Sequence, residues 1–288
     1  MKKIKNIGEF NLLANHIFPI LSDIYTGNVG DDAADIEVNR QKIILTSDGP
    51  ITPAFYHLGI KDYYYHGWYS VSSNVSDLAA VGCKPLVYIS SIILDKDLEV
   101  KEAERLFKGI RDSSIYHGVL NAGGNIKSGS KLECHATAMG VLEDGEKLTR
   151  SECLPGDTFV TIGATNGYFA TCLIKAMNEG IDSLTKSELR YVLKPRAKVR
   201  EMLLLNNMNL LSASTDNSDG LLGSIENIIK SSNCGVILNL EGKINRRINS
   251  FATTYNYDPL NIFFFWGDWQ ILATVKAKHF DNFELTCK

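Results

Sequence analysis

The sequence predicts a mixed α+β protein of two domains. Three observations carry this. Strand-like and helix-like runs are interleaved, but without the regular alternation that a doubly wound sheet requires. The stretch Glu143–Asp157 holds Gly145, Pro155 and Gly156 and interrupts the chain near its middle. The chain has 288 residues, 44% of them hydrophobic, enough for one large or two ordinary domains with sizeable cores. The expected division is 1–145 and 146–288.

Taken in order, residues 7–24 place Phe10, Leu13, Ile17 and Leu21 at helical spacing. Strands are expected at Ala34–Val38 and Ile43–Thr46, then a buried helix of small and apolar residues over 67–82. Leu86–Ile93 reads as a strand. Residues 98–117 form an amphipathic pattern, with Ala103, Leu106, Phe107 and Ile110 on one face. A short strand, Val119–Ala122, leads into Gly123-Gly124, and Cys134–Leu142 is a further strand. In the second half, strands are expected at Phe159–Ile162, Leu211–Thr215, Val236–Leu240 and Gln270–Val275. Helices are expected over 167–178, 195–207 and 218–231.

Composition excludes several classes. Net charge is −3, from 30 basic and 33 acidic residues, which gives no support for a nucleic-acid or anionic-membrane surface. No apolar run is long enough to span a bilayer, and the start of the chain does not read as a signal peptide. A cytoplasmic location is expected. The six cysteines are scattered without a Cys-x-x-Cys pair, so reduced, mostly buried thiols are expected rather than disulfides or zinc.

Four acidic signatures remain. They are Gly30-Asp31-Asp32-Ala33-Ala34, Thr46-Ser47-Asp48, Asn74-Val75-Ser76-Asp77-Leu78-Ala79-Ala80 and Thr215-Asp216-Asn217-Ser218-Asp219-Gly220-Leu221. Each sets a short carboxylate beside small residues at the end of an apolar run. Carboxylates on rigid element ends are hard oxygen ligands, and Mg²⁺ prefers these together with phosphate oxygens. A nucleotide site assembled from distant segments through metal ions is therefore expected. Asp77 sits in an Ala-rich apolar helix, where a carboxylate is costly to bury unless paired or bound to metal. Asp216 and Asp219 bracket a strand-to-helix junction, where an N-cap competes with metal binding; if either is the cap, it is Asp219. The glycines of Gly123-Gly124-Asn125 let backbone N–H groups approach phosphate closely. No arrangement of a Ser, Cys or His nucleophile is found.

These motifs, in their order and spacing from Gly8-Glu9-Phe10 to Asp268-Trp269-Gln270, resemble the thiamine-monophosphate kinase branch of the AIR synthase-related superfamily. The resemblance covers nearly the whole chain. It implies a two-domain AIR synthase-like fold, with an N-terminal domain whose strands build a shared barrel across a homodimer and a C-terminal α+β domain. It implies ATP as co-substrate, held through Mg²⁺, and transfer of the γ-phosphoryl directly onto the phosphate of a small phosphorylated acceptor.

The resemblance also implies residue roles. Asp32, Asp48, Asp77, Asp216 and Asp219 become metal ligands, with Asp32, Asp48, Asp77 and Asp219 central to catalysis. Ser47 assists through its oxygen, and Ser218 joins the nucleotide site. Gly123, Gly124 and Asn125 lie at phosphate, Asn125 standing where the family carries Asp or Asn. Arg150 matches an arginine that reaches a phosphate, a role suited to a planar guanidinium. Asp31 caps its turn, and Asp157 is structural. Departures cluster on the acceptor side: Ile51–His57, the loop Gly163–Tyr168, and Phe265–Ile271, where Gly267 replaces an acid. Two other readings stay open: an ATP-dependent synthetase of the aminoimidazole ribonucleotide type, and a nucleotide-binding accessory protein without turnover.

Overall fold

The computed structural model describes residues 6, 9–21, 30–49, 51–163, 165–218 and 220–287. Near the start, α1 (Glu9–Leu12) and α2 (Phe18–Leu21) flank a wider helical turn, Leu13–Ile17, so the expected first helix is present over the described residues 9–21. A hairpin follows, β1 (Ala34–Val38) and β2 (Gln41–Asp48). Its turn residues Asn39 and Arg40 both have positive φ, 52° and 67°, the backbone that matches the twist of antiparallel strands.

The first sheet has the order β1-β2-β5-β3-β4, with β3 at Lys84–Asp95, β4 at Leu120–Gly129 and β5 at Glu133–Val141. Only β3 and β4 pair in parallel. A parallel pair needs a long crossover, and α4 (Val100–His117) supplies it. Beside it lies α3 (Tyr63–Ala80). The two helices touch backbone to backbone: a Cβ on Gly67 would sit 2.0 Å from the Leu106 carbonyl oxygen, and one on Gly109 1.8 Å from that of Tyr64. Val71, Val75, Leu106 and Ile110 then close over Tyr88 and Ile92 of β3.

The second sheet is β6 (Thr158–Ile162), β8 (Ile271–Val275) and β7 (Leu211–Asp216), in that order and all antiparallel. Every residue of β7 and β8 is buried, because helices cover both faces. Met202 and Leu205 of α7 (Val199–Asn207) pack on one set of strand residues, and Ile225 and Ile228 of α8 (Leu221–Ser231) on the other. The remaining helices are α5 (Tyr168–Glu179), α6 (Lys186–Leu193), α9 (Arg246–Tyr255), α10 (Pro259–Phe263) and α11 (Phe280–Thr286). No helix among the described residues is long and apolar enough to cross a membrane.

Three expectations need correction. Val236–Leu240 is not a strand: residues 234–240 carry no regular structure, and Ile237 is 97% exposed while Val236 packs beside α8. An alternating pattern describes any extended chain with one wet side, and a strand also needs a neighbour with which to bond. The short strand ending before Gly123-Gly124 instead runs on through Gly129. The glycines are thus inside β4, beside a register shift in β3. A Cβ on Gly124 would meet the Ser90 carbonyl oxygen at 1.8 Å, so strand contact accounts for that glycine. The helix expected from 195 starts at Val199, after Pro195.

The two sheets meet where α3 ends. The Ser214 hydroxyl donates to the Ala80 carbonyl, and the Asn206 amide donates to the carbonyls of Gly82 (3.2 Å) and Glu146 (3.0 Å). These bonds set the last turn of α3 against the end of β7.

Candidate active site

Three of the five expected ligands come together at that seam. Oxygens of Asp32, Asp77 and Asp216 lie within 4.8 Å of one another. Each arrives on a different rigid piece: the turn before β1, the last turn of α3, and the last residue of β7. The period of two along β2 brings Thr46 to the same place. Its hydroxyl donates to Asp77 at 2.6 Å. Ser76 donates to Asp216 at 3.2 Å and Thr215 to Asp32 at 3.1 Å.

The cluster is incomplete in its hydrogen bonds. Asp32 Oδ2 is buried with no partner among the described residues. Burial raises the Asp32 carboxyl above its usual range even though Arg150 opposes it. Burial, then the charges of Asp216, Asp48 and Asp32, hold Asp77 well above that range. Asp216 is pushed up to about 7, first by burial and then by Asp32. Three crowded carboxylates with an orphaned oxygen fit a hard divalent cation such as Mg²⁺, and the donor set is all oxygen.

Arg150 is tied into this cluster. Its guanidinium donates to Asp32 (2.6 Å), the Thr215 hydroxyl (3.1 Å) and the Gly30 carbonyl (2.6 Å). The resemblance sends this arginine to a phosphate; here each of its nitrogens has a protein partner, and its direct effect is to fix Asp32. Asp31 is held by distant partners rather than shown as the turn cap expected: it accepts from the Arg150 backbone N–H at 3.1 Å and pairs with Lys147 at 3.4 Å.

The other expected residues divide. Asp48 lines a cleft of about 320 Å³ that also reaches Asp216, Asn217 and Ser218. Its carboxyl is raised by burial and hydrogen-bonded by Ser73. The Ser218 hydroxyl bonds Asp216. Ser47 is misplaced by the sequence reading: it is exposed on the opposite side of β2 and donates to the Ala136 carbonyl at 3.0 Å. Gly123, Gly124 and Asn125 lie on edge strand β4, separated from β2 by β5 and β3, and do not join the triad. Asp219 lies outside the described residues. Thr46, Ser76 and Thr215 were missed; strand alternation pointed to Thr46, since Asp48 was already placed inward.

Aromatic rings form the rest of the cleft, with Tyr69, Trp266 and Trp269 facing Asp48 and Asp216. The Trp269 ring stands edge-on to Tyr69, centroids 5.0 Å apart, and its φ of 51° is left-handed, a costly conformation for tryptophan. Asp268, the retained acid beside it, is not a ligand of the triad. Its oxygens accept the backbone N–H groups of Gly167 (2.6 Å) and Phe169 (2.7 Å) at the start of α5.

Such a two-domain scaffold with acids converging at the seam defines a class, and comparison with known families agrees. Residues 30–142 match the N-terminal domain, and residues 155–283 the C-terminal domain, of AIR synthase related proteins; the chain belongs to that family. Within it, similar proteins include kinases. The chain is 26% identical to a thiamine-monophosphate kinase of Aquifex aeolicus, over 98% of this chain and 90% of the relative. It is 25% identical to one of Pyrococcus horikoshii, over 88% of this chain and 79% of the relative. The solved structure of AaThiL complexed with AMPPCP and TMP superposes with a TM-score of 0.83 at 25% identity, covering 98% of this chain and 90% of that one.

Proposed function

We propose that this protein is an ATP-dependent phosphotransferase of the thiamine-monophosphate kinase kind, acting on thiamine monophosphate in the cytoplasm. The observation that carries the reading is the crowded triad of Asp32, Asp77 and Asp216 with its orphaned oxygen. These residues, with Asp48 at the edge of the cleft, would hold Mg²⁺. When bound, Mg²⁺ supplies charge neutralisation between the polyphosphate of ATP and the phosphate of the acceptor. The side chains around it do the positioning. Arg150 and Thr215 keep Asp32 in place, Thr46 orients Asp77, and Ser76 and Ser218 orient Asp216. The aromatic wall of Tyr69, Trp266 and Trp269 suits a planar acceptor ring. The γ-phosphorus exchanges its bond to the ADP oxygen for one to an acceptor phosphate oxygen, so no protein nucleophile is needed.

The reading includes a homodimer formed through the N-terminal domain, taken as 1–145. Edge strand β4 is exposed along nearly its whole length and presents Leu120 and Ile126, 74% and 56% exposed. An uncovered edge with apolar side chains supports pairing with a second copy. Sedimentation of the full chain tests it, and a monomer at micromolar concentration contradicts it. The activity test is ADP release from Mg-ATP with thiamine monophosphate, together with mass analysis of the product. Thiamine diphosphate is expected. Bound ATP without any product would leave the nucleotide site and remove the acceptor assignment.

A further inference from the structure

Trp269 lines two cavities. One is the acidic cleft just described. The other, of about 290 Å³, lies between the segment joining α6 to α7 and the pair Asp268-Trp269. Its charge is opposite in sign: Arg190, Lys194, Arg196 and Lys198 line it, against the single carboxylate of Asp268. That carboxylate is already occupied by two backbone N–H groups and the Tyr191 hydroxyl. None of the four cations forms an ion pair among the described residues.

Two of these cations are held by aromatic rings. Lys194 Nζ is 4.6 Å from the ring centroids of both Tyr64 and Trp68 and donates to the Tyr64 hydroxyl at 2.9 Å. The Arg196 guanidinium carbon is 4.9 Å from the Tyr116 centroid. Lys198 is fenced in differently. Its stem lies so close to Gly163 that a Cβ there would approach Lys198 Cε to 2.8 Å. Burial pulls the Lys198 ammonium below its ordinary range; Glu201 opposes this, Arg196 adds to it, and Asp268 opposes it in turn. Asp112 acts on Lys194, and Glu201 and Asp268 on Lys198, yet none lies within ion-pair distance, so four cations around one cavity favour an anion joining them.

We propose that this cavity is an anion site, separate from the carboxylate triad, which takes the phosphate or diphosphate group of a small molecule. A guanidinium fork and a fixed ammonium suit tetrahedral oxyanions. Trp269 is the shared wall, so occupancy is felt at the edge of the acidic cleft.

The test needs no metal. In EDTA the triad presents only carboxylates and repels phosphate, whereas the cationic cavity does not. The full chain is titrated in EDTA with inorganic phosphate, diphosphate and thiamine monophosphate, following heat and tryptophan fluorescence. Saturable binding of at least one is expected. Lys198→Gln and Arg196→Gln should each weaken it about tenfold, the scale of one charged hydrogen bond. Asp77→Asn should leave it unchanged. Arg190→Gln, at an exposed position, serves as the further variant should Lys198→Gln melt early. Tighter binding of thiamine monophosphate than of inorganic phosphate assigns the site to a phosphorylated organic molecule; equal binding assigns it to the free anion. No saturable binding, or equal affinity in all the cation variants, overturns the proposal. Failure of the kinase reading shows separately, as absent ADP release with Mg-ATP whatever binds in EDTA.

Discussion

Asp32 and Asp268 are both carboxylates with buried side chains, yet their surroundings differ in kind. Asp268 has backbone N–H groups on both oxygens and a tyrosine hydroxyl besides. Asp32 has one oxygen bonded by Arg150 and Thr215, the other bonded by nothing among the described residues, and two further carboxylates within 4.8 Å. The first is complete as folded and reads as a cap. The second has the Arg150 guanidinium on one oxygen and leaves the other, crowded by two more carboxylates, for a further cation. Counting each oxygen's partners separates a ligand from a cap where burial and motif do not.

The sharpest way to break this comparison is Asp77→Asn. The substitution keeps the shape and removes one charge of the crowded three. Phosphotransfer should fall on the order of a thousandfold, about 4 kcal/mol of transition-state stabilisation. Stability without Mg²⁺ should hold or rise, because like-charge repulsion is relieved. In the parent protein, Mg²⁺ at a hundred times its dissociation constant should add about 2.7 kcal/mol, and Asp77→Asn should lose that gain. Thermal melts with and without Mg²⁺ read both effects. A variant that melts early yet still gains from Mg²⁺ would place Asp77 with the caps.

Asp268→Ala is the counterpart. It strips two helix-start N–H groups and Tyr191 of their acceptor in a buried place, at a cost of about 3 kcal/mol. The gain from Mg²⁺ should survive. Denaturant midpoints measured with and without the ion decide between the two roles, and a stable variant that no longer responds to Mg²⁺ would reverse them.

The sequence showed this division unevenly. Asp32, Asp77 and Asp216 were legible because each ends an apolar run beside small residues, and the fold does bring them together. Ser47 was taken for a helper because it adjoins Asp48, although a strand sends neighbouring side chains to opposite faces; Thr46 was the residue to choose. Gly123-Gly124 looked like a phosphate loop because the same residue that frees a loop also lets two strands close up, and only pairing with Ser90 distinguishes them. The cationic cavity was not legible. Arg190 and Lys198 belong to different elements, and nothing in their spacing shows that Asp268 is consumed elsewhere.

His117 extends the comparison to a buried group that is complete only when neutral. Its Nδ1 is 2.9 Å from the Ser113 carbonyl, and its Nε2 accepts the Ala197 N–H at 3.3 Å. Burial lowers its pKa from 6.5 to about 4, and His66 is lowered likewise. With the folded value below the unfolded one, the unfolded chain takes up protons first on acidification. The contribution of His117 is therefore full above about pH 6.5 and lost as pH falls through about 4. About 3 kcal/mol should disappear over that window, and His117→Gln should lose roughly half of the acid sensitivity the two histidines share. An unchanged pH–stability curve in the variant would mean His117 is not held neutral.

Thr46→Val is the smallest change and the finest probe. It is nearly isosteric and deletes only the hydroxyl that donates to Asp77 at 2.6 Å. If Asp77 worked as a neutral acid within the fold, losing this donor would cost only the bond, about 1 kcal/mol in stability, with no change in metal response. If Asp77 must be an oriented, charged ligand, the same deletion also weakens Mg²⁺ binding about tenfold, the scale of a lost outer-shell partner. The second result is expected. Mg²⁺ titrations followed by melting temperature, compared at equal protein stability, separate the two, because a purely structural hydroxyl shifts every curve equally and a positioning hydroxyl shifts its midpoint along the Mg²⁺ axis.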